Sequence, residues 1–372
     1  MILYVSTRFE DNVGARIHYH IIQELFGEDQ VYTVNLQPGK AYHTQRYLAV
    51  GKYKNKVDRI TRWLQGNTMY LSDAIIKKIG NIVQENQIKQ VFIEDSFFGN
   101  LVKYLKMRFP DIIITAFYHD IGADLFSQWN KNGGVLQKIE GFLSIRQEKI
   151  TQAWADHNVV FNIRDADLYE SYYHKRPQAI IPLSVEIPDV VGQGVSDSNR
   201  KELLFVGTKY YPNMIGIRWF YQQVLSHLSD GISVKIVGRG MEILREEFTD
   251  PRVRVIGEVD DLSEYYRQAD IVIAPLFDGG GMKSKTVEAV SFGKCFIGTQ
   301  ESLFGFWEEM GDCLRNHIVY NCNSAQEWID VINGLVCAQI EKFNPDLYEL
   351  FLEKYSYDAT KKMLAKVLGC KK

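Results

Sequence analysis

Short runs of consecutive apolar, mostly β-branched residues alternate along the chain with longer stretches in which apolar residues recur every third or fourth position. Runs at 2–6, 31–36, 91–94, 112–118, 159–162 and 178–182 read as strands, and a helical pattern from about residue 14 to 26 follows the first of them. Unbroken runs, rather than strict alternation, mark strands covered on both faces, as in a parallel sheet flanked by helices. The pattern breaks over 183–201, where Pro188, Gly192 and Gly194 stand among serines and aspartates, a composition that suits a linker. It restarts at 202–207 and continues through runs at 233–238, 253–257, 270–275 and 294–299. The chain therefore predicts an α/β protein of two Rossmann-like, doubly wound parallel-sheet domains, 1–182 and 202–352. A last helix near 357–368 lies in a segment, 353–372, that is free to pack back on the first domain. Doubly wound sheets bind ligands beyond the carboxyl ends of their strands, so two of them are expected to face a central cleft lined by the loops after each strand.

Composition narrows the class. A chain of 372 residues suits two domains and buries roughly three quarters of its unfolded surface without disulfide help. Hydrophobic residues at 46% and charged residues at 24% exclude general disorder. Lys plus Arg at 43 against Asp plus Glu at 46 excludes a surface devoted to nucleic acid. The five cysteines form no C-x-x-C pair, which fits a reducing compartment. The N-terminal residues lack a signal-peptide flank, the last residues form no prenylation box, and no apolar run approaches the ~18 residues of a membrane span. A cytoplasmic protein is expected, one able to lie against the inner face of the membrane.

The most informative chemistry lies at 274–294. A strand ending in Ala274-Pro275 runs into Asp278-Gly279-Gly280-Gly281-Met282, and Lys283-Ser284-Lys285-Thr286-Val287-Glu288 opens a helix. Three glycines let backbone N–H groups approach a ligand closely, and a helix start carrying two lysines favours an anion. Glu288, three residues after Lys285, shares its helix face, so a carboxylate there is suited to ribose hydroxyls while the lysines hold phosphates. The competing reading is a flexible turn followed by an ordinary Lys–Glu surface pair.

This stretch resembles the nucleotide-sugar signature of GT-B fold retaining glycosyltransferases, the large bacterial polysaccharide and capsule group (glycosyltransferase family 4-like). Leu204-Phe205-Val206-Gly207-Thr208-Lys209-Tyr210-Tyr211-Pro212-Asn213, Val237-Gly238-Arg239-Gly240 and Val255-Ile256-Gly257-Glu258-Val259-Asp260-Asp261-Leu262 match the group in order and spacing. The likeness is strong over 202–300 and weaker but collinear over 1–182. It implies a donor site built from Gly14, Gly207, Asn213, Gly238, Arg239, Gly257, Glu258, Val259, Gly280, Gly281 and Met282. Lys283, Lys285, Glu288 and His119 are implied as the residues acting on the diphosphate, ribose and sugar. Many members carry a Glu at the position of Gly280 that meets the donor sugar, so sugar recognition here falls to the backbone of Gly280 and Gly281. Many also place an Arg and a Lys after the first strand of this domain, where Thr208 and Lys209 stand; the diphosphate contact then moves to Lys283 and Lys285.

In the first half, Asn12-Val13-Gly14-Ala15 opens a helix after the first strand, which also fits a plain strand-to-helix turn. His119 and Asp120 follow the strand at 112–118; a histidine there can donate a hydrogen bond or take a proton near neutral pH, or simply cap the strand. Glu148 and Arg164 are further polar candidates whose patterns read as exposed helix positions. Asp165-Ala166-Asp167 has the D-x-D form of a metal site in another transferase fold, but Asp165 suits a helix N-cap before Leu168-Tyr169. No metal or other cofactor is expected. Between Lys40 and Arg62 seven basic residues, among them Arg46, Lys52, Lys54, Lys56 and Arg59, face a single acid, Asp58, with Tyr42, Tyr47, Tyr53 and Trp63 interleaved. Such an excess suits an anionic acceptor or membrane surface, or is a solvated face.

The expected function is transfer of a sugar from a nucleoside diphosphate sugar to a glycan, lipid-linked or protein acceptor in cell-surface polysaccharide or glycoconjugate synthesis. The resemblance implies retention and no metal. Two other classes stay open: a catalytically silent GT-B subunit that binds a partner, and a nucleotide-sugar epimerase. A nicotinamide dehydrogenase is disfavoured, because no G-x-G-x-x-G follows either first strand.

Overall fold

The six apolar runs of the first half, joined by one short strand that no run marked, form a seven-stranded sheet: β1 (Ile2–Ser6), β2 (Val31–Asn35), the unmarked β3 (Tyr47–Ala49), β4 (Gln90–Glu94), β5 (Ile113–Tyr118), β6 (His157–Val160) and β7 (Ala179–Ile180). The computed structural model describes residues 1–7, 13–37, 46–68, 70–126, 134–189, 194–195, 200–279 and 281–370. Its contacts divide the chain into two units, Met1–Pro182 with Thr360–Lys372, and Leu183–Ala359.

In the first unit the strand order is β3-β2-β1-β4-β5-β6-β7, and every pairing is parallel. All five residues of β1 are buried, as an unbroken apolar run requires when helices cover both faces. The helices are α1 (Val13–Phe26), α2 (Lys56–Leu64), α3 (Asp73–Glu85), α4 (Gly99–Arg108), α5 (Val135–Trp154) and α6 (Ile163–Tyr173). Helix α4 lies tight on α5 because Gly99 has no side chain; a Cβ there would stand 2.1 Å from the Gln147 carbonyl oxygen.

The second unit has a six-stranded parallel sheet: β8 (Lys201–Val206), β9 (Ile232–Val237), β10 (Val253–Gly257), β11 (Ile271–Ala274), β12 (Cys295–Gly298) and β13 (Val319–Asn321), ordered β10-β9-β8-β11-β12-β13. Its helices are α7 (Tyr211–Gln223), α8 (Ser263–Gln268), α9 (Ser284–Ser291), α10 (Ala325–Val336) and α11 (Pro345–Leu350), and α12 (Tyr357–Val367) begins here. Trp328 anchors the core: its Nε1 donates to the Cys322 carbonyl at 2.9 Å, and Trp219 and Phe220 meet it edge-on. Each such aromatic pair contributes about 0.5–1.5 kcal/mol beyond area burial.

The described part of 183–201 is tied to the second unit rather than loose: Lys342 N–H donates to the Gly194 carbonyl at 2.9 Å, and Val195 bridges Glu341. Within 353–372 the division falls at Thr360, and the later turns of α12 hold to the first unit through Lys361–Glu24 at 2.6 Å and Gln90 Nε2 to the Leu368 carbonyl at 3.2 Å.

Both sheets reverse their strand order beside their first strand, between β1 and β4 and between β8 and β11. Those are the switch points where the loops diverge and leave room for a ligand. They put the ends of β1 and β4, and of β8 and β11, at the positions to search.

Candidate active site

In the second unit three strand ends are sewn side by side. Gly207 N–H donates to the Val237 carbonyl at 2.9 Å, and Gly238 N–H donates to the Gly257 carbonyl at 2.7 Å. Gly238 has φ of 137°, and a Cβ on it would sit 2.1 Å from the Gly207 carbonyl oxygen, so only glycine allows the two turns to touch. Gly257, φ 94°, rests against Glu242, whose Oε1 accepts the Glu258 N–H at 2.7 Å. Val259 is half-buried, whereas Glu258 and Arg239 are exposed, and the Arg239 guanidinium has no partner among the described residues.

The loop after β11 follows at the switch point. Gly279 and Gly281 have φ of 126° and 64°, a path closed to most side chains. Gly280 lies outside the described residues. Met282 is buried, and α9 starts with Lys283 as its N-cap, a residue whose side chain caps nothing. Its ammonium is engaged elsewhere, with Glu301 Oε1 at 2.7 Å and the Gly281 carbonyl at 2.8 Å. The second lysine is different. Lys285 is buried, its Nζ donates to Asn213 Oδ1, and the Phe205 ring centroid lies 5.0 Å away. Burial, with Lys283 adding to it, pushes its ammonium down to about 7 against the pull of Glu288.

Glu288 and Lys285 do not pair. Glu288 accepts Tyr266 Oη at 2.7 Å, and burial raises its carboxyl despite that bond and the Lys285 charge. Tyr266 is held flat on Phe292, centroids 4.9 Å apart. The surface Lys–Glu pair open from spacing is therefore replaced by two side chains each turned to its own neutral partner. Asn213 is itself committed, its Nδ2 donating to the Thr208 carbonyl at 3.0 Å, so it positions Lys285.

In the first unit the end of β4 supplies a carboxylate that no spacing announced. Glu94, buried, is held by His18 Nδ1 at 2.8 Å on Oε1 and by His119 Nε2 at 2.5 Å on Oε2, and Tyr4 Oη donates to Oε1 at 3.2 Å. Burial alone would raise the Glu94 carboxyl, but the two histidines hold it down at about 2. Burial alone would lower His119, but Glu94, with Asp95 and Asp120, lifts it to about 9. The contact with Glu94 favours the protonated ring, in which both nitrogens donate hydrogen bonds. Asp95 beside it has φ of 91° and accepts Thr7 Oγ1 at 2.8 Å. Gly14 is buried in the first turn of α1, and Asn12 lies outside the described residues.

Other expected positions resolve differently. Glu148 is buried, not an exposed helix position: it accepts Ser96 Oγ at 2.5 Å, Gly122 N–H at 2.9 Å, Ala123 N–H at 3.0 Å and the Tyr173 hydroxyl. It fastens the turn just after His119 to α5. Arg164 is exposed. The N-cap of α6 is Asn162, not Asp165; Asn162 Oδ1 accepts the Asp165 N–H at 2.9 Å, and Asp165 Oδ2 accepts Asn162 Nδ2 at 2.7 Å. Asp167 points away to Arg176 at 2.7 Å, so the D-x-D carboxylates do not converge. No group of three His, Cys, Asp or Glu side chains suited to a metal occurs among the described residues. In the basic segment Arg46 reaches Met1 Sδ at 3.2 Å, Arg59 pairs with Glu140 at 2.9 Å, and Arg62 pairs with Asp58 at 2.8 Å. Lys52, Lys54 and Lys56 are exposed, and Lys40 lies outside the described residues.

Two parallel doubly wound sheets with these switch points define the GT-B fold. Residues 200–337, which include the whole glycine-rich loop and both Lys285 and Glu288, match the family model described as Glycosyl transferases group 1. Among solved structures, sucrose-phosphate synthase from Thermosynechococcus elongatus superposes with a TM-score of 0.69 at 12% identity, over 99% of this chain and 98% of its own. The lipopolysaccharide outer core galactosyltransferase WaaB matches with a TM-score of 0.69 at 10% identity, over 99% of both chains. HepE of Anabaena, in complex with UDP, matches with a TM-score of 0.68 at 12% identity, over 99% of both chains. Identities this low speak to the fold. No curated protein matches the chain in sequence.

Proposed function

We propose that the chain is a glycosyltransferase that moves a sugar from a nucleoside diphosphate sugar to a glycan, lipid-linked or protein acceptor. One observation carries the reading: at the switch point of the second unit, Lys285 is buried on a neutral amide while Glu288, three residues on, is held apart by Tyr266. A buried lysine without a carboxylate partner is unfavourable in the empty protein, and an anion brought beside it relieves that cost. The glycine-rich path and the start of α9 supply N–H groups for the same anion.

In this reading Lys285 meets the diphosphate, Glu288 accepts the ribose hydroxyls, and the turn from Gly257 to Val259 meets the base. Gly207, Gly238, Gly281 and Met282 leave room for close backbone approach, and Arg239 and Lys283 are the next cations available. The HepE complex makes UDP the first nucleotide to test. As the anomeric C–O bond breaks, its electron pair goes to the leaving diphosphate, where a charged Lys285 stabilises the transition state electrostatically. His119, held protonated by Glu94, donates to an oxygen of the donor sugar. The first unit takes the acceptor. Retention at the anomeric carbon, independence of metal, a cytoplasmic setting and a role in cell-surface polysaccharide or glycoconjugate synthesis belong to the same proposal.

The test is UDP release by the purified chain from a panel of UDP-sugars, with and without glycan and lipid-linked acceptors. Acceptor-dependent release that survives EDTA supports the reading. Loss on EDTA treatment with recovery on manganese overturns metal independence. Conversion of the donor without any acceptor points to an epimerase, and binding without turnover points to a silent subunit. Donor at 100 times its dissociation constant adds roughly 2.7 kcal/mol to stability, so thermal shift reports the binding step separately.

A further inference from the structure

We propose that the outward face formed by α2 and the first half of α5 docks on an anionic phospholipid surface. The amphipathicity of α2 is inverted. Val57, Ile60 and Leu64, at i, i+3 and i+7, form its exposed stripe, with Val57 and Leu64 at 72% and 85% exposure. Its two arginines turn inward instead: Arg62 is buried on Asp58, and Arg59 pairs with Glu140 and lies over the rings of Tyr53 and Trp63. A helix covering a core turns its apolar stripe the other way.

Helix α5 continues the surface with Val135 at 74% and Phe142 at 66% exposure, beside Leu136 and Ile139. Between the two helices lies an open hollow of about 490 Å³, lined chiefly by Ile60, Trp63, Leu64, Val135, Ile139 and Phe142. Exposed apolar side chains gathered around one hollow, rather than scattered singly, suit an interaction site.

Charge identifies the occupant. The acids of this face, Asp58 and Glu140, are both consumed by Arg62 and Arg59. Lys52, Lys54 and Lys56 stand exposed just before and at the start of α2, and Lys138 lines the hollow, none of them in an ion pair among the described residues. A second copy packed on this face by two-fold symmetry would bring lysines against lysines. An anionic bilayer meets both requirements at once: acyl chains for Leu64, Val57 and Phe142, and headgroup phosphates for ammonium groups on long stems. No helix among the described residues is long and apolar enough to cross a membrane, so the contact is peripheral.

This inference goes beyond the transfer reaction and does not need it. The experiment is co-sedimentation of the full chain with phosphatidylcholine vesicles, with and without phosphatidylglycerol. The parent protein is compared with the double variant Leu64→Asp, Phe142→Asp and the triple variant Lys52→Glu, Lys54→Glu, Lys56→Glu. The parent pellets with the anionic vesicles and much less with neutral ones. The apolar variant binds at least about tenfold more weakly, and the charge variant about a hundredfold or more, since each lysine near an anionic surface contributes on the order of a factor of five. Melting temperature and UDP binding stay at parent values, which separates failure here from failure of the donor site. A parent that ignores anionic vesicles, or variants that pellet equally well, overturns the proposal. A dimer in sedimentation velocity that the Asp variant abolishes, without vesicle binding, assigns the face to a second copy instead.

Discussion

Lys285 and His119 are both nearly removed from water at the end of a sheet, one in each unit, and burial works against the charge of both. The histidine keeps its proton because Glu94 lies 2.5 Å away, and its pKa rises to about 9. The lysine has only an amide oxygen and an aromatic face, and its pKa falls to about 7. The contrast separates a finished electrostatic pair from an unfinished one. The first unit carries its own counter-ion, so His119 is a fixed donor. The second awaits a counter-ion, and a diphosphate is the proposed one.

Glu94→Gln has the largest expected effect. It leaves the buried His18 and the partly exposed His119 without their carboxylate and should cost about 3 kcal/mol of stability. The pH profile checks the cause. His119 is raised from 6.5 to about 9, so its contribution is full below pH 6.5 and is lost as pH rises through about 9. Glu94 is lowered from 4.5 to about 2, so its contribution is present above pH 4.5 and is lost as pH falls through about 2. Thermal melts across pH should show both flanks in the parent; in the variant the acid flank disappears and the alkaline one shrinks, because Asp95 and Asp120 still face His119.

Next comes the proton balance at Lys285. Its pKa is lowered from 10.5 to about 7, so between those values the unfolded chain holds a proton that the folded one has released. The empty protein therefore gains stability from this group as pH rises from 7 to 10.5. A bound diphosphate restores the proton, so affinity should fall as pH rises above 7. Calorimetry at pH 8 in two buffers of different ionisation enthalpy should show uptake approaching one proton per UDP bound. Lys285→Met should abolish the uptake, weaken UDP by about 1.5–3 kcal/mol and leave the empty protein no less stable.

Smaller effects sharpen the contrast further. Tyr266→Phe removes the bond that turns Glu288 away from Lys285 and should cost about 1 kcal/mol of UDP binding. Lys283→Ala breaks a partly exposed pair with Glu301 and should change stability by about 0–1 kcal/mol. If Lys283 outweighs Lys285 in binding UDP, the two lysines have been assigned the wrong way round.

Much of the fold was legible because buried parallel strands write themselves as unbroken apolar runs; β1, β5 and β8 are examples. The edge strands β3 and β13 were missed, since three residues are too short to form a pattern. At the site, the glycines and the lysines after β11 were legible because that chemistry is local. What the lysines and acids do was not. Same-face spacing suggests that Lys285 pairs with Glu288, and the partners that pull them apart, Asn213 and Tyr266, lie 72 and 22 residues away. His18 meets Glu94 across 76 residues, and a glutamate closing an apolar strand carries no mark of its partners. Glu148 reads as a helix-surface residue because its four donors come from segments that only the tertiary fold gathers. For α6, Asn162 and Asp165 are both good capping residues, and the chain uses the earlier one.

The most direct test of the donor site is calorimetry of Lys285→Ala and Glu288→Ala against two ligands, UDP and inorganic pyrophosphate. Lys285→Ala should weaken both by about tenfold or more, because both present a diphosphate. Glu288→Ala should weaken UDP by a similar factor and pyrophosphate little, because only UDP carries a ribose. Parent-like affinity for UDP in both variants would contradict the assignment of these two residues to a nucleotide.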